Sequence, residues 1–374
     1  MTPTLTRFDA DLPQTDDFKS IVLNNTPLID VRAPVEFAQG AFYSASNLPL
    51  MNDEERQKVG ICYKQHGNEA AVKLGHKLVN EITRAPRIQS WIEFMDRHPD
   101  ALLYCFRGGM RSKIAQQWLQ DNGRRIVRLK GGYKAFRRYL IDFLESVPDL
   151  FTIAGIQPIV LAGRTGSGKT QLLQQLPETA DLQALDLETL AHHRGSAFGR
   201  HATPQPTQIN FENKLSMALI RFLESNSKRL IIEDEGRNIG TVNMSKPLFD
   251  FLKSGQRILL ETPLEERVSI TLDEYVVQAQ EEYYSIEDWQ TFMLAAFNRI
   301  QRRLGGERYQ RVLQQFDAAL QLQITHGVTE GHRGWIETLL VEYYDPMYDY
   351  QMQKKQHKVA FSGSMQDILE FLQK

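Results

Sequence analysis

Two short stretches of this chain gather residues that can do chemistry. The first is Gly163-Arg164-Thr165-Gly166-Ser167-Gly168-Lys169-Thr170, which satisfies G-x-x-x-x-G-K-[ST] at every defined position. Glycines at this spacing let the backbone curl so that successive N–H groups point inward at phosphate oxygens. Lys169 adds a point charge, and the helix expected to follow contributes its positive dipole end. Thr170 is positioned to ligate a magnesium ion if one is bound. The phosphate-binding candidates are Gly163, Thr165, Gly166, Ser167, Gly168, Lys169 and Thr170, and ATP, another nucleotide or a non-nucleotide diphosphate would all suit such a cradle. The second stretch is Cys105-Phe106-Arg107-Gly108-Gly109-Met110-Arg111-Ser112. A loop between a strand and a helix directs N–H groups toward one centre and so stabilises an anion or a thiolate. Arg107 and Arg111 should lower the thiol's pKa and can bind a tetrahedral oxyanion. Cys105, Arg107 and Arg111 are therefore catalytic candidates, Cys105 as a nucleophile or a carrier of sulfur or selenium. The blander reading, a small buried cysteine at a strand end, leaves the flanking glycines and arginines without a purpose.

The elements that must hold these loops follow from hydrophobic spacing. Pro27–Arg32 and Ala101–Cys105 have strand length and apolar content, and Ile126–Leu129 continues the series before Gly131-Gly132. After Asn47–Pro49 an irregular stretch is expected, then helices over Gly67–Thr83, Ile88–Arg97 and Ser112–Asn122. Strands alternating with helices predict a mostly parallel, doubly wound sheet. The alternation restarts after Pro148, Gly155 and Pro158. Pro158–Ala162 is a buried-strand candidate leading into the phosphate loop, and a short helix stops at Pro177. Ala184–Leu187, Leu230–Glu233 and Ile258–Glu261 complete a second set of strands, and the chain beyond Pro263 turns mainly helical. Glu233, Asp234 and Glu235 close one strand, where an acid could hold a magnesium-bound water. The expectation is an α/β protein with two domains, 1–145 and 146–374, the second ending in a helical extension.

Composition narrows the setting. At 374 residues the chain exceeds the usual size of one core, and 42% hydrophobic with 24% charged residues is ordinary for a globular protein. Only Cys62 and Cys105 are present, too few for a disulfide framework and without the paired spacing of a zinc site. No metal site is expected. The polar stretch Met1–Thr15 lacks a signal-peptide core, and no apolar run nears the roughly 20 residues of a membrane span, so a cytoplasmic protein without membrane contact is expected. A net charge of −2 excludes a uniformly basic coat but not local patches. Arg124, Arg125, Arg128, Lys130, Lys134, Arg137 and Arg138 form one such patch with no acid among them, and Tyr133, Phe136 and Tyr139 interleave. Basic residues with aromatics could meet nucleic-acid phosphates and stack on an unpaired base, although solvated helix faces are the commoner cause of a charge run. Arg299–Arg311 is a second basic stretch.

Leu28-Ile29-Asp30-Val31-Arg32, Pro34, Glu36, Gly40, Asn47-Leu48-Pro49, the Cys105 loop and Leu129-Lys130-Gly131-Gly132-Tyr133 together resemble a rhodanese domain. Cys105 to Arg111 is Cys-x5-Arg, one residue longer than the usual sulfurtransferase loop and similar in length to that of rhodanese-fold phosphatases. With the G-x-x-x-x-G-K-T segment, Val59–Gln65, Asp186-Leu187-Glu188, His192–Gly199, Gln205–Gln208 and Tyr343–Tyr348, the chain resembles the tRNA 2-selenouridine synthase family along nearly its whole length. That resemblance implies a rhodanese-like domain fused to a P-loop NTPase-like domain. It implies a two-step change at the wobble uridine in the anticodon region of tRNA: S-geranylation of 2-thiouridine by geranyl diphosphate, then replacement of the geranylthio group by selenium from selenophosphate. Cys105 matches the family's essential rhodanese cysteine, and Gly163–Thr170 its Walker A segment. No tightly bound cofactor is implied beyond these cosubstrates, with magnesium an optional addition. Two rivals are a cysteine-dependent phosphatase or general sulfurtransferase carrying a nucleotide-binding P-loop, and a non-catalytic tRNA-binding module.

Overall fold

A computed structural model describes residues 12–176, 181–355 and 358–373; Pro177, the expected helix stop, lies outside them. The chain divides into two units. Residues 1–146 and 209–221 make the first, and residues 147–208 and 222–374 the second.

The first unit is built on five parallel strands: β1 (Gln14–Thr15), β2 (Leu28–Asp30), β3 (Ala45–Asn47), β4 (Leu102–Tyr104) and β5 (Val127–Leu129), in the order β1-β5-β4-β2-β3. Successive strand residues face opposite sides, and both sides are covered, as a parallel sheet requires. Ile29 and Leu103 join Trp91, Phe94, Trp118 and Leu119 on one side. Leu28 and Tyr104 join Phe42, Phe136, Leu140, Met217 and Ile220 on the other. The Asp30-Val31-Arg32 step carries a buried charge pair. Arg32, 2% exposed, donates to both Asp30 oxygens, with contacts down to 2.6 Å, and to the Gly40 carbonyl at 2.8 Å. Its guanidinium also lies 3.9 Å from the Tyr133 ring centre. A buried charge needs this degree of pairing to be tolerated.

The stretch after Pro49 is not irregular. Asp53–Leu78 is helical, opened by an Asn52 capping box and interrupted at Gly67, whose φ of 79° breaks the helical backbone. The expected helix over Gly67–Thr83 is therefore divided: Asn80 caps a new helix, Glu81–Arg97, by accepting from the amides of Ile82 and Thr83.

The second unit is also built around a parallel sheet. Its strands are β6 (Gln157–Gly163), β7 (Leu182–Leu185), β8 (Arg229–Glu233), β11 (Gln256–Leu260) and β12 (Val359–Gly363), with the small antiparallel pair β9 (Asn238–Ile239) and β10 (Val242–Asn243) apart from it. The order β12-β11-β6-β8-β7 puts β6 at the centre, so the phosphate loop leaves the middle of the sheet. Ile159, Leu161, Ile231, Ile258 and Leu260 pack there with Leu172, Leu173, Ile368 and Leu372. The segment after Pro263 is helical up to residue 355, around Trp289, Phe297, Phe316 and Trp335. It then returns as β12, an edge strand that the sequence reading missed.

Candidate functional site

In the first unit, β4 ends at Tyr104 and the helix Met110–Asp121 begins five residues beyond Cys105. Cys105 is 3% exposed, and its Sγ lies 3.2 Å from the Ser112 hydroxyl. The loop is braced largely by backbone. Cys105 and Phe106 carbonyls accept from the amides of Tyr133 and Lys134, both at 2.9 Å. Gly108 and Gly132 sit at φ 62° and 60°. A Cβ on Gly132 would come within 2.2 Å of the Cys105 carbonyl, and one on Gly108 within 2.9 Å of the Gly131 amide. Glycine is required at these positions both by conformation and by the closeness of the second chain. This is the physical content of the Lys130-Gly131-Gly132-Tyr133 segment.

The two arginines expected around the thiol part company. Arg107 is exposed, with its guanidinium 5.9 Å from the Phe106 ring centre. Arg111 is held by Glu36, accepting at 2.5 and 3.1 Å. Burial alone would raise the Glu36 carboxyl, but the Arg111 hydrogen bonds and charge hold it below the usual range. Burial works equally against the Arg111 charge; Glu36, and the field of Cys105, more than restore it. A third arginine is closer to the loop than the sequence suggested. Arg128, 6% exposed, donates to the Gly108 carbonyl at 2.7 Å and to Gln116 at 3.0 Å.

That position removes Arg128 from the proposed basic surface, and its companions scatter. Arg137 is pinned by Glu212 and by Asn213, the latter at 2.8 Å. Arg124 pairs with Asp96, Lys130 with Asp16 and Arg138 with Asp142. Arg125 and Lys134 are exposed. Tyr133 and Phe136 are core residues, which corrects the idea that they interleave with the charges for stacking. Acids outside the run, most of them distant in sequence, pair with Arg124, Lys130, Arg137 and Arg138.

In the second unit, β6 delivers Gly163, and Gly166 and Gly168 adopt φ 75° and 81°. The helix Lys169–Gln175 starts directly after Gly168. The loop is held from outside: Arg267 donates to the Thr165 carbonyl at 3.0 Å, and Thr262 to that of Ser167 at 2.9 Å. Arg164 and Arg267 both reach Asp345, which fastens the loop to the helical segment. Lys169 Nζ rests 3.2 Å from the Gly163 carbonyl.

Around Thr170 stand three carboxyl groups. Thr170 Oγ1 donates to Glu233 at 2.9 Å, with Glu188 at 3.3 Å, and the Glu188 amide donates to Glu233 at 3.2 Å. Glu188 also hydrogen-bonds Glu235. Burial, then the charges of Glu233 and Glu235, push Glu188 up to about 10; burial and Asp186 push Glu233 to about 8. Glu188 keeps its proton at neutral pH and hands it to Glu235 in a hydrogen bond. Gly195 is pressed against this group, since a Cβ there would meet the Glu188 carboxylate at 1.9 Å. Asp234 points elsewhere, to Lys253 and Arg257. Among the described residues no three His, Cys, Asp or Glu side chains are arranged to chelate a metal. Thr170 and Glu233 are the groups that would hold a divalent ion here, and such an ion would favour loss of the protons that burial keeps on these carboxyl groups.

Sequence reasoning flagged Glu233 as a possible magnesium acid but missed Glu188 as part of this group. Its only signal was Asp186-Leu187-Glu188 at a strand end. The doubled histidine is divided in role: His192 stacks on His201 at 4.1 Å, while burial holds His193 neutral, its pKa lowered to about 4. Beside the phosphate loop, Thr165 opens onto a small apolar recess lined by Phe198, Tyr275, Trp335, Leu340 and Tyr344. Tyr343 belongs to the helical core.

The family described as the tRNA 2-selenouridine synthase AAA domain matches residues 156–374, and the rhodanese-like domain family matches residues 14–139. Among curated relatives, the tRNA 2-selenouridine synthase of Hydrogenovibrio crunogenus is 63% identical over 96% of this chain and 99% of its own length. Those of a Sulfurovum species and of Marinobacter nauticus are 54% and 46% identical, each over 97% of this chain and 98% of their own length.

Proposed function

The chain belongs to the tRNA 2-selenouridine synthase family, and on that premise we propose that its two loops divide one tRNA modification into an alkyl transfer and a selenium exchange. It is a transferase acting on tRNA, and such a substrate fits a cytoplasmic enzyme. The P-loop is assigned the diphosphate of geranyl diphosphate. The observation that carries this choice is the cradle itself: the Gly163–Thr170 loop opens the helix Lys169–Gln175, and its amides with Lys169 suit a diphosphate, while the apolar recess beside Thr165, of about 20 Å³, must widen to take any part of a prenyl chain. In this step the thiouridine sulfur attacks C1 of the geranyl group, the C1–O bond breaks, and diphosphate leaves with the electron pair while the base loses its N3 proton. The backbone amides of Gly166–Thr170 and Lys169 take up the charge that develops on the diphosphate. A magnesium ion at Thr170 would add to that neutralisation.

The Cys105 loop is assigned selenophosphate. Alkylation has turned sulfur into a good leaving group, so selenium adds at C2 and geranylthiolate departs. Water then cleaves the Se–P bond, giving phosphate and 2-selenouridine. The converging amides before the helix Met110–Asp121, with Arg107 free to swing in, suit a tetrahedral oxyanion. Arg111 keeps its geometry through Glu36.

Mass spectrometry of tRNA nucleosides separates the two assignments. Lys169→Ala should lower geranylation at least about a hundredfold, the scale of losing one oriented charge-stabilising donor, and spare selenation of tRNA that is already geranylated. Cys105→Ala should accumulate geranylated tRNA. Intact geranylation in the first variant, or normal selenouridine in the second, would rule the corresponding assignment out.

A further inference from the structure

The first unit contains a second feature that neither anion chemistry nor folding explains. A cavity of about 580 Å³ lies between the helix Asp53–Leu78 and the start of the helix Met110–Asp121. Its floor is apolar: Met51, Val59, Val72, Val79, Ile114 and Trp118. Its charged lining is wholly basic, from Arg56, Lys64 and Arg111, and no Asp or Glu lines it. Selenophosphate, a small and strongly hydrated anion, has no use for such a floor. The volume is that of a site for a small organic ligand.

We propose that this cavity receives the linear prenyl group carried on the sulfur of the tRNA base, while the base itself lies at the Cys105 loop. The proposal rests on the two-step reading given above. Three observations favour this occupant. Met110 and Arg111 belong at once to the cavity wall and to the Cys105 loop, so a group entering here is attached to something at the thiol. An apolar floor under a basic rim fits an apolar substituent on a polyanion, whose phosphates meet exposed Lys64, with Arg56 beside it at 3.7 Å from Glu36. The wall also includes Val59, Gly60, Ile61, Tyr63 and Lys64, a stretch singled out in the sequence that the anion sites leave unused. The prenyl chain would thus serve as a handle: its burial at a distance from C2 orients the carbon that selenium attacks.

The test uses the full-length protein, selenophosphate and anticodon stem-loop RNA carrying S-methyl, S-geranyl or S-farnesyl 2-thiouridine. Both turnover and equilibrium binding are measured. The wild type should prefer geranyl to methyl in kcat/KM and in Kd. Val72→Trp, which fills the cavity from a half-buried helix position, should cut that preference about tenfold or more; Val72→Ala should shift it toward farnesyl. Thermal melting checks that each variant folds. Equal preference in wild type and Val72→Trp would overturn the cavity assignment while leaving the two-step reading intact. If no S-alkylated RNA is turned over by the wild type, the two-step reading fails instead. The binding preference alone then decides the cavity: lost in Val72→Trp, it supports the assignment, and absent from the wild type, it overturns it.

Discussion

At Glu188 the fold holds a proton that water would remove. An ordinary glutamate ionises near 4.5, yet burial and the neighbouring Glu233 and Glu235 carry this one to about 10. The native state therefore binds more protons than the unfolded chain across the neutral range. Its share of stability is complete below the unfolded value near 4.5 and is lost as pH rises through about 8 to 10, where Glu233 and Glu188 must ionise beside one another. Glu188→Gln keeps the shape and removes the titration. We expect its denaturant-measured stability to fall less between pH 6 and pH 9 than that of the wild type, by about 1–3 kcal/mol. An identical pH slope would show that Glu188 already ionises freely.

At the scale of elements, the Cys105 loop and the Gly131-Gly132 turn are one device, because each backbone occupies the space where the other would need a Cβ. Gly132→Ala forces a side chain to within 2.2 Å of the Cys105 carbonyl at a φ that L-residues avoid. The left-handed conformation alone costs about 1–2 kcal/mol, and separating the chains adds to it. The expected result is a lower melting temperature together with loss of selenation, while Lys169-dependent geranylation persists. Such local devices were open to sequence reading, since glycine spacing, a flanking strand and a following helix are contained in ten residues. The same holds for Gly163–Thr170. What escaped reading was set elsewhere. The helix Asp53–Leu78 is polar on most faces, and the cavity it lines is finished by residues 30 to 60 positions away. The strand Val359–Gly363 alternates only half-buried with exposed residues, as an edge strand does, so no continuous apolar run announced it. Arg128 and Arg137 counted as surface charge until Gly108, Gln116, Glu212 and Asn213 were seen to hold them. Charge along a sequence does not reveal which tertiary partners will meet it.

The whole molecule departs most from a simple string of two domains at Ile209–Arg221, which belongs to the first unit although it follows the P-loop in sequence. Asn213, fully buried, donates to the Ala41 carbonyl at 2.9 Å, and Ser216 to that of Leu140 at 2.9 Å. Met217 and Ile220 complete the core around Phe136 and Leu140. A fragment ending at Ser146 lacks all of these. It should expose Phe136 and Leu140, melt well below the full chain and aggregate; a soluble fragment with the parent's melting behaviour would refute this. The same interleaving bears on how the protein is made. Synthesis proceeds from the N-terminus, and early domains ordinarily finish folding before later ones emerge. Here one face of the rhodanese-like sheet cannot be fully covered until Arg221 has left the ribosome, by which time the P-loop strand and helix are already outside. The face of the sheet that carries Leu28, Tyr104, Phe136 and Leu140 thus waits, during every round of translation, for a helix encoded beyond the P-loop.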